Sequence, residues 1–445
     1  MPLRPASTSL FAQNRVFRNF WLSRTLSLVG DGVTTTALLL FVGERNGPNG
    51  VAFVMLASAL PRFFGPVAGA LADRFPLRRL IVVSELVQAV LWAVIALWLP
   101  PLWPLALLVL VATWFATVVA TAGRVVIVRA VDDADRPRAN AWIGTAFNAR
   151  TVAGPVIGGL LVEFAGPRQA FGINVVTFLL GAVLLIGLPV MLAASATSKG
   201  MPGFLTDIAD GLRFARGNPF VRSTSLLLLL GVLFGSLDNV ALVFLAEDDL
   251  RTGPGGYGLL SAAFGVAMVA VSLLLTQRPD RLSPTVLMLG GWAVTGVGLM
   301  LTGAAPWLGL AIAFQGVAGF GNGGAMIGED TLLQRHVPQE MLGKIGGLLT
   351  SAAFLGSVGA YAVGGLLIDL LSARPVLVIS GAGLVLVTAL SVRGVLTATR
   401  ETSAEGAGTG DGERRTPEEG PAEEEEGSDR RSPGEKAESS FERNR

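Results

Sequence analysis

The chain has no cysteine and a single histidine, and only 15% of its 445 residues are charged. The first absence excludes disulfides and thiolate metal sites. The second leaves His336 as the one imidazole, at the end of an apolar stretch, where a surface role outweighs pH sensing. No phosphate-binding loop is found, so ATP is not expected to drive the protein. No carboxylate pair or nucleophile–base arrangement points to an enzyme. Neither a cofactor nor a metal is expected. No cleavable signal peptide is expected either, because Arg15 and Arg18 precede a long first apolar stretch that reads as an anchor.

What is present is apolar: 51% of the residues are hydrophobic and 56 are glycine, a usage common in spanning helices. A span needs about 20 mostly apolar residues. Twelve stretches qualify, at 20–42, 51–72, 80–99, 104–128, 140–165, 170–194, 221–246, 257–276, 284–304, 307–333, 343–370 and 375–396. Several exceed the minimum, which implies tilt or extension beyond the lipid. Loop Lys and Arg divide nineteen against four, with only Arg45, Arg168, Arg251 and Arg374 on the poorer side. That asymmetry predicts a cytoplasmic-membrane protein with both termini in the cytoplasm. From Glu401 onward there are fourteen acidic and seven basic residues, so the body is basic and the tail acidic.

The chain repeats itself. A shift of 206 residues lays Gly158-Gly159-Leu160-Leu161-Val162-Glu163 on Gly364-Gly365-Leu366-Leu367-Ile368-Asp369 without a gap. It also places Val131 on Val337, Arg138 on Lys344 and Ala146 on Ala352. Spans five and eleven are then one element in two halves of six helices. An even span number with a cytoplasmic connector gives parallel repeats about an axis along the membrane normal, with a cavity between them. The predicted fold class is an all-α membrane protein, twelve transmembrane helices in two pseudo-symmetric six-helix bundles. Its parts are a cytoplasmic N-terminus (1–19), a first half (20–194), a connector (195–220), a second half (221–396) and an acidic tail (397–445). The connector carries Asp207, Asp210, Arg213 and Arg216 on an expected interfacial helix. The tail reads as disordered.

Ionisable groups inside spans are costly in lipid and are usually functional. Asp31, Arg62 and Arg150 each lie about eleven residues into a span, hence ~16 Å deep at ~1.5 Å per residue, near the middle of a ~30 Å core. A carboxylate there, beside an arginine, can exchange its proton as access and pairing change. Asp31 is therefore a candidate proton-coupling acid with Arg62 or Arg150 as partner; the alternative is a permanent ion pair fixing helix register. Asp238, one residue from the repeat position of Asp31, is the second candidate.

Polar stripes mark faces. Thr113, Thr117 and Thr121 recur every four residues in span four, and Gln315, Asn322 and Glu329 every seven in span ten. Span one offers Thr34 and Thr35 beside Asp31; span seven offers Ser236 and Asn239 beside Asp238. Spans six, nine and twelve carry few such groups. The alternative for each threonine is a hydrogen bond to its own helix. Trp114, Phe115 and Phe320 add aromatic surface. A mixed apolar cavity with few charges suits amphipathic or weakly cationic molecules.

Two motifs carry a resemblance. The loop Gly69-Ala70-Leu71-Ala72-Asp73-Arg74-Phe75-Pro76-Leu77-Arg78-Arg79 joins spans two and three. In span five stands Gly154-Pro155-Val156-Ile157-Gly158-Gly159, where the proline kinks the helix and the glycines permit close packing. The first closely resembles the signature loop of the major facilitator superfamily, matched at Gly69, Leu71, Asp73, Arg74 and Arg78, with Pro76 where that family usually has glycine. The second resembles its antiporter motif, with Arg150 where glycine is frequent. Phe20-Trp21, Gly30-Asp31, Arg138-Ala139-Asn140, Leu332-Leu333-Gln334 and Val337-Pro338 are similar to the drug/proton antiporter branch that contains macrolide and siderophore exporters.

The resemblance covers about 15–396. It implies a cavity lined by spans one, four, seven and ten, and a cytoplasmic latch of the outward-facing state at Asp73 and Arg74. Physically, Asp73 suits the N-terminal dipole of span eleven, near Leu342. The expected function is proton-coupled efflux of an amphipathic drug-like or natural-product molecule, such as a siderophore, with the proton gradient as energy source. A lipid or lysophospholipid mover of the same fold is the second reading, and a non-transporting scaffold or receptor the third. The expected partners are the bilayer and a small-molecule substrate, with no nucleic acid, for a protein acting as a monomer.

Overall fold

In a computed structural model, residues 10–11, 14–187, 213–276, 283–339 and 341–410 are described. The expected interfacial helix at Asp207 and Asp210 and most of the acidic tail lie outside them. The described elements are helices: α1 Arg15–Ala59, α2 Gly65–Arg74, α3 Leu77–Trp98, α4 Leu102–Ala130, α5 Arg136–Ala165, α6 Pro167–Ile186, α7 Pro219–Gly235, α8 Asp238–Phe244, α9 Gly253–Thr276, α10 Pro284–Ala304, α11 Leu308–His336, α12 Leu342–Leu371 and α13 Ala373–Gly410.

Their ends follow local chemistry. Asn14 accepts from the Phe17 N–H at 2.9 Å, Asn218 from Val221 at 3.1 Å and Ser283 from Val286 at 3.2 Å, each side chain capping a helix start. α1 holds two expected spans. Gly47, at φ 63° and ψ −165° and followed by Pro48, breaks it, a backbone that glycine adopts without a Cβ clash. A Cβ on Gly43 would lie 3.6 Å from the Val51 side chain, whereas eight residues of straight helix span about 12 Å. The chain therefore turns back on itself at Gly47.

Span two is interrupted again by a 3-10 turn at Leu60–Phe64 that contains Pro61 and Arg62. Span seven is broken at Ser236-Leu237, restarts at Asp238 and ends in a π-helical turn, Leu245–Asp249. The Ser380 hydroxyl donates to the Phe234 carbonyl at 2.7 Å, supporting the backbone at that break.

Ten described segments are long and apolar enough to cross a membrane. One, Arg15–Phe64, contains the Gly47 reversal, and α5, the expected fifth span, is not among the ten. Arg136, Arg138, Arg150 and several Asn and Thr residues dilute its apolarity. The described parts of the twelve predicted stretches are helical apart from the breaks in spans two and seven, yet the count of twelve is not reached by length and apolarity alone.

Three apolar cores show how the bundles meet. One contains Phe17, Phe20, Ala72, Leu77 and Val126, all from the first half. A second contains Phe220, Met288, Leu332 and Ile345, all from the second. The third is shared: Leu40, Phe41, Val51 and Phe171 join Val240, Phe244, Leu260 and Val376. The molecule is therefore welded at the end that carries Asn49 and Arg45, and split at the end that carries Asp73.

Candidate functional site

The sequence repeat explains the welded end. Gly159 of α5 meets α9, where a Cβ would lie 2.6 Å from the Pro254 carbonyl and 3.1 Å from Gly258 Cα. On Gly258 a Cβ would lie 2.5 Å from the Pro155 carbonyl, and on Gly265 2.8 Å from that of Thr151. The repeat mate, Gly365 of α12, meets Asn49 in the same manner, with Cα at 2.7 Å from the added atom. The acids that end each copy of the repeat then accept hydrogen bonds from the opposite half. Glu163 accepts from the Gly255 N–H at 3.0 Å, and Asp369 from the Asn49 amide. Each copy thus supplies a small residue for backbone contact and a carboxylate that clasps a helix start.

The span-five motif serves two interfaces. Gly154 and Gly158 face α1: added Cβ atoms would lie 2.6 Å from Gly32 Cα and 2.7 Å from the Val33 carbonyl. Gly159 and the Pro155 carbonyl face α9, so kink and glycines stand where three helices cross.

Where the shared core gives way to the two separate ones lies a cavity of about 400 Å³. The first half contributes Gly32, Thr35, Thr36, Arg150, Thr151 and Pro155. The second contributes Ser236, Asp238 and Asn239 from the broken span, together with residues of α9, α10 and α11 that include Tyr257, Trp292 and Asn322. Discontinuous helices at mid-membrane free backbone groups and aim helix ends at ligands.

Asp31 is half-buried one residue from the lining Gly32. Arg150 is the strongest of the cations acting on it, followed by Arg24 and then Arg62, with the Asn174 side chain against it. Among the described residues no ion pair closes on Asp31, so its field comes from several cations rather than one contact. Arg62 sits in the 3-10 break with its guanidinium 5.8 Å from the Phe354 ring centre. Across the cavity, Asp238 accepts from the Gln315 amide at 3.0 Å. Gln315 is itself fully buried, and its own carbonyl has no hydrogen-bond partner among the described residues. Asn239 lines the cavity and donates to the Ser236 carbonyl at 3.3 Å and the Tyr361 hydroxyl at 3.4 Å.

Other expected site residues fall elsewhere. Thr113, Thr117 and Thr121 are not in the lining. Thr117 donates to the Thr113 carbonyl and Thr121 to the Thr117 carbonyl, both at 2.9 Å, so the stripe satisfies itself along its own helix. Thr34 is buried, its hydroxyl without a partner among the described residues, while Thr35 donates to the Asp31 carbonyl at 2.7 Å. Glu329 lies outside the lining, half-buried on α11 toward the split end. At that end Gly69 has only the Thr121 methyl near its Cβ position, at 3.9 Å. Asp73 is half-buried, Arg74 exposed and Arg78 half-buried. Asp73 makes no hydrogen bond or ion pair among the described residues. α12 begins without a side-chain cap, and Gly343, Gly346 and Gly347 near its start face open space.

The sequence reading passed over Arg24, Glu85, Tyr257 and Tyr361. Glu85 carried the same signal as Asp31, a carboxylate well inside an apolar stretch. The tyrosines are the chain's only two, and both lie at or beside the cavity. Span nine, set aside as apolar, contributes Trp292 and Thr295.

The family model described as Major Facilitator Superfamily matches residues 20–247 and 227–427. Over 370 residues the chain is 25% identical to the enterobactin exporter EntS of Escherichia coli, covering 80% of this chain and 86% of that protein. Over 355 residues it is 25% identical to the multidrug efflux pump Tap of Mycobacterium tuberculosis, covering 76% and 84%. The crystal structure of a bacterial homologue of the iron transporter ferroportin, in an inward-facing state, superposes with a TM-score of 0.67 at 18% identity, covering 86% of this chain and 98% of that one.

Proposed function

The chain belongs to the major facilitator superfamily and is a multi-pass membrane transporter, and from that premise we propose that it is a proton-coupled exporter of amphipathic drug-like or natural-product molecules. The observation that carries this reading is the cavity between the halves: Asp238, hydrogen-bonded by Gln315, lines it from the second half, and Arg150 lines it from the first, with Asp31 one residue from the lining Gly32. An apolar lining with a few placed polar groups suits an amphipathic substrate. A carboxylate at mid-membrane that changes partners as the halves rock can bind a proton on one side and release it on the other. Efflux rather than uptake is supported by the names of the relatives. With the arginine-rich end in the cytoplasm, the conformation described above is open inward and closed outward, ready to load from the cytosol.

The test uses inside-out vesicles with an acidic lumen and a panel of amphipathic fluorescent compounds. At least one compound should accumulate, and its uptake should raise the luminal pH and collapse when an uncoupler removes the gradient. Uptake unaffected by the uncoupler would overturn the proton-coupled reading. Movement of lysophospholipids without a gradient would favour the lipid reading instead.

The absent contacts of Asp73 fit this state, because a latch for the outward-facing state has nothing to hold while the cytoplasmic end is open. The uncapped start of α12 is the partner its charge suits. Asp73→Asn should leave the inward-open form intact and remove about 1 kcal/mol from the closed one, a roughly fivefold fall in the closed-to-open ratio. Spin labels at Arg79→Cys and Gly343→Cys would read that ratio, with no native cysteine to remove. An unchanged distance distribution would eliminate the latch.

A further inference from the structure

Glu85 lies inside the first bundle, away from the cavity, on α3. Its exposure is 0%. One carboxylate oxygen accepts from the Ser27 hydroxyl at 2.8 Å, and the other faces the Arg24 guanidinium at 3.4 Å. Space for it is provided by Gly181 of α6, where a Cβ would lie 3.2 Å from the carboxylate and 2.9 Å from the Ser27 oxygen. Ser23 holds α6 at that point by donating to the Gly181 carbonyl at 3.1 Å. A lone charge so far from water is tolerated only when paired and hydrogen-bonded. Here the cation is shared.

Arg24, Ser27 and Asp31 lie on one face of α1, with Arg24 and Asp31 two turns and about 10 Å apart. Arg24 acts on both carboxylates, and the charge of Asp31 is felt at Glu85. The remaining charges around Asp31 are Arg150 on α5 and Arg62 in the span-two break; α6 offers Asn174 and Gly181, which do not titrate. Among the described residues, the side chains acting on Glu85 are Arg24, Ser27 and Asp31.

Resting on the proton-coupled reading above, we propose that Glu85 is a second acid of the proton path, tied to Asp31 through Arg24, so that the pair carries one exchangeable proton between them. While Asp31 is ionised it draws on Arg24 as well as Arg150, and Glu85, left with a hydroxyl donor, holds the proton. When Asp31 takes up a proton, Arg24 turns to Glu85, whose O–H breaks as the one on Asp31 forms. Arg24 stays a guanidinium throughout. Glu85 acts on transport through Arg24 and never touches substrate.

The test is Glu85→Gln, nearly equal in size and still able to accept from Ser27. In vesicles whose wild-type transporter shows gradient-driven uptake, the pH giving half-maximal uptake should fall by about one unit, because Arg24 is then committed to Asp31 and keeps it ionised. Glu85→Asp should return the profile most of the way. Infrared difference spectra across the same pH range should lose a protonated-carboxyl band in Glu85→Gln. Should that variant fail to insert, Ser27→Ala serves, with a smaller shift in the same direction. A pH profile and carboxyl bands matching wild type would show Glu85 to be a structural ion pair only. A wild type without gradient dependence would instead overturn the transport reading, so the two failures are distinct.

Discussion

Asp31→Asn is expected to abolish gradient-driven accumulation while leaving substrate binding and downhill exchange in place. Asn keeps the shape of the side chain and its neighbours Asn174 and Gly32, so the helix packing of α1 against α5 and α6 should persist. What is lost is the group that changes charge. For each proton exchanged, one unit of pH difference is worth about 1.4 kcal/mol, or a roughly tenfold substrate gradient. A transporter that cannot bind the proton at Asp31 should reach no gradient at all from that source, whatever its rate. The measurement is steady-state accumulation in inside-out vesicles as a function of imposed pH difference. Wild type should rise with the difference, and Asp31→Asn should stay flat near unity.

Asp238→Asn separates the two candidates. Asp238 meets the cavity directly and has Gln315 rather than an arginine as its hydrogen-bonded partner, so its replacement should weaken binding of cationic compounds more than neutral ones. If Asp31→Asn retains a pH-driven gradient and Asp238→Asn loses it, the proton site belongs to the second half.

The architecture was legible because its causes are local and repeated. Apolar stretches of the right length give helices, and the 206-residue repeat foretold that α5 and α12 are equivalent. The clasp of Glu163 and Asp369 could not be foreseen, since nothing in one strand of sequence says which helix starts, Gly255 or Asn49, the acids will meet. The depth rule placed Asp31, Arg62 and Arg150 at mid-membrane together, but their ranking as partners depends on side-chain reach across helices. Arg24 lies two turns from Asp31 on the same helix, whereas Arg62, held in the 3-10 break, has its guanidinium 5.8 Å from the Phe354 ring centre. Spacing alone misplaced weight on span four. Threonines every four residues are also the spacing at which each hydroxyl reaches the carbonyl of the previous one, and that local bond gives no sign of facing a cavity. The break beside Asp238 had no proline to announce it.

Gly159→Leu and Gly258→Leu should each reduce transport by at least tenfold without preventing insertion. Both glycines sit where α5 and α9 cross backbone to backbone at the welded end, the one the proposed orientation turns outward. Real Cβ atoms do not approach other heavy atoms as closely as the 2.6 and 2.5 Å found at these positions, so any side chain must push the helices apart. Overpacking of this kind costs about 1–3 kcal/mol, and all of it falls on the closed arrangement of this end, because opening it separates α5 from α9. The equilibrium should shift toward the outward-open state by roughly tenfold per 1.4 kcal/mol, leaving the transporter unable to return to the form that loads from the cytosol. Spin labels at Arg168→Cys and Arg251→Cys should show a longer distance across this end, with the opposite end closing in step. Gly316→Leu is the control, since its Cβ position meets open space and α11 should absorb the change. Equal transport and equal distances in Gly159→Leu and Gly316→Leu would mean that the α5–α9 crossing does not govern closure. The alternating-access role assigned to the repeated glycine–carboxylate unit would then fail, with the cavity and its acids untouched.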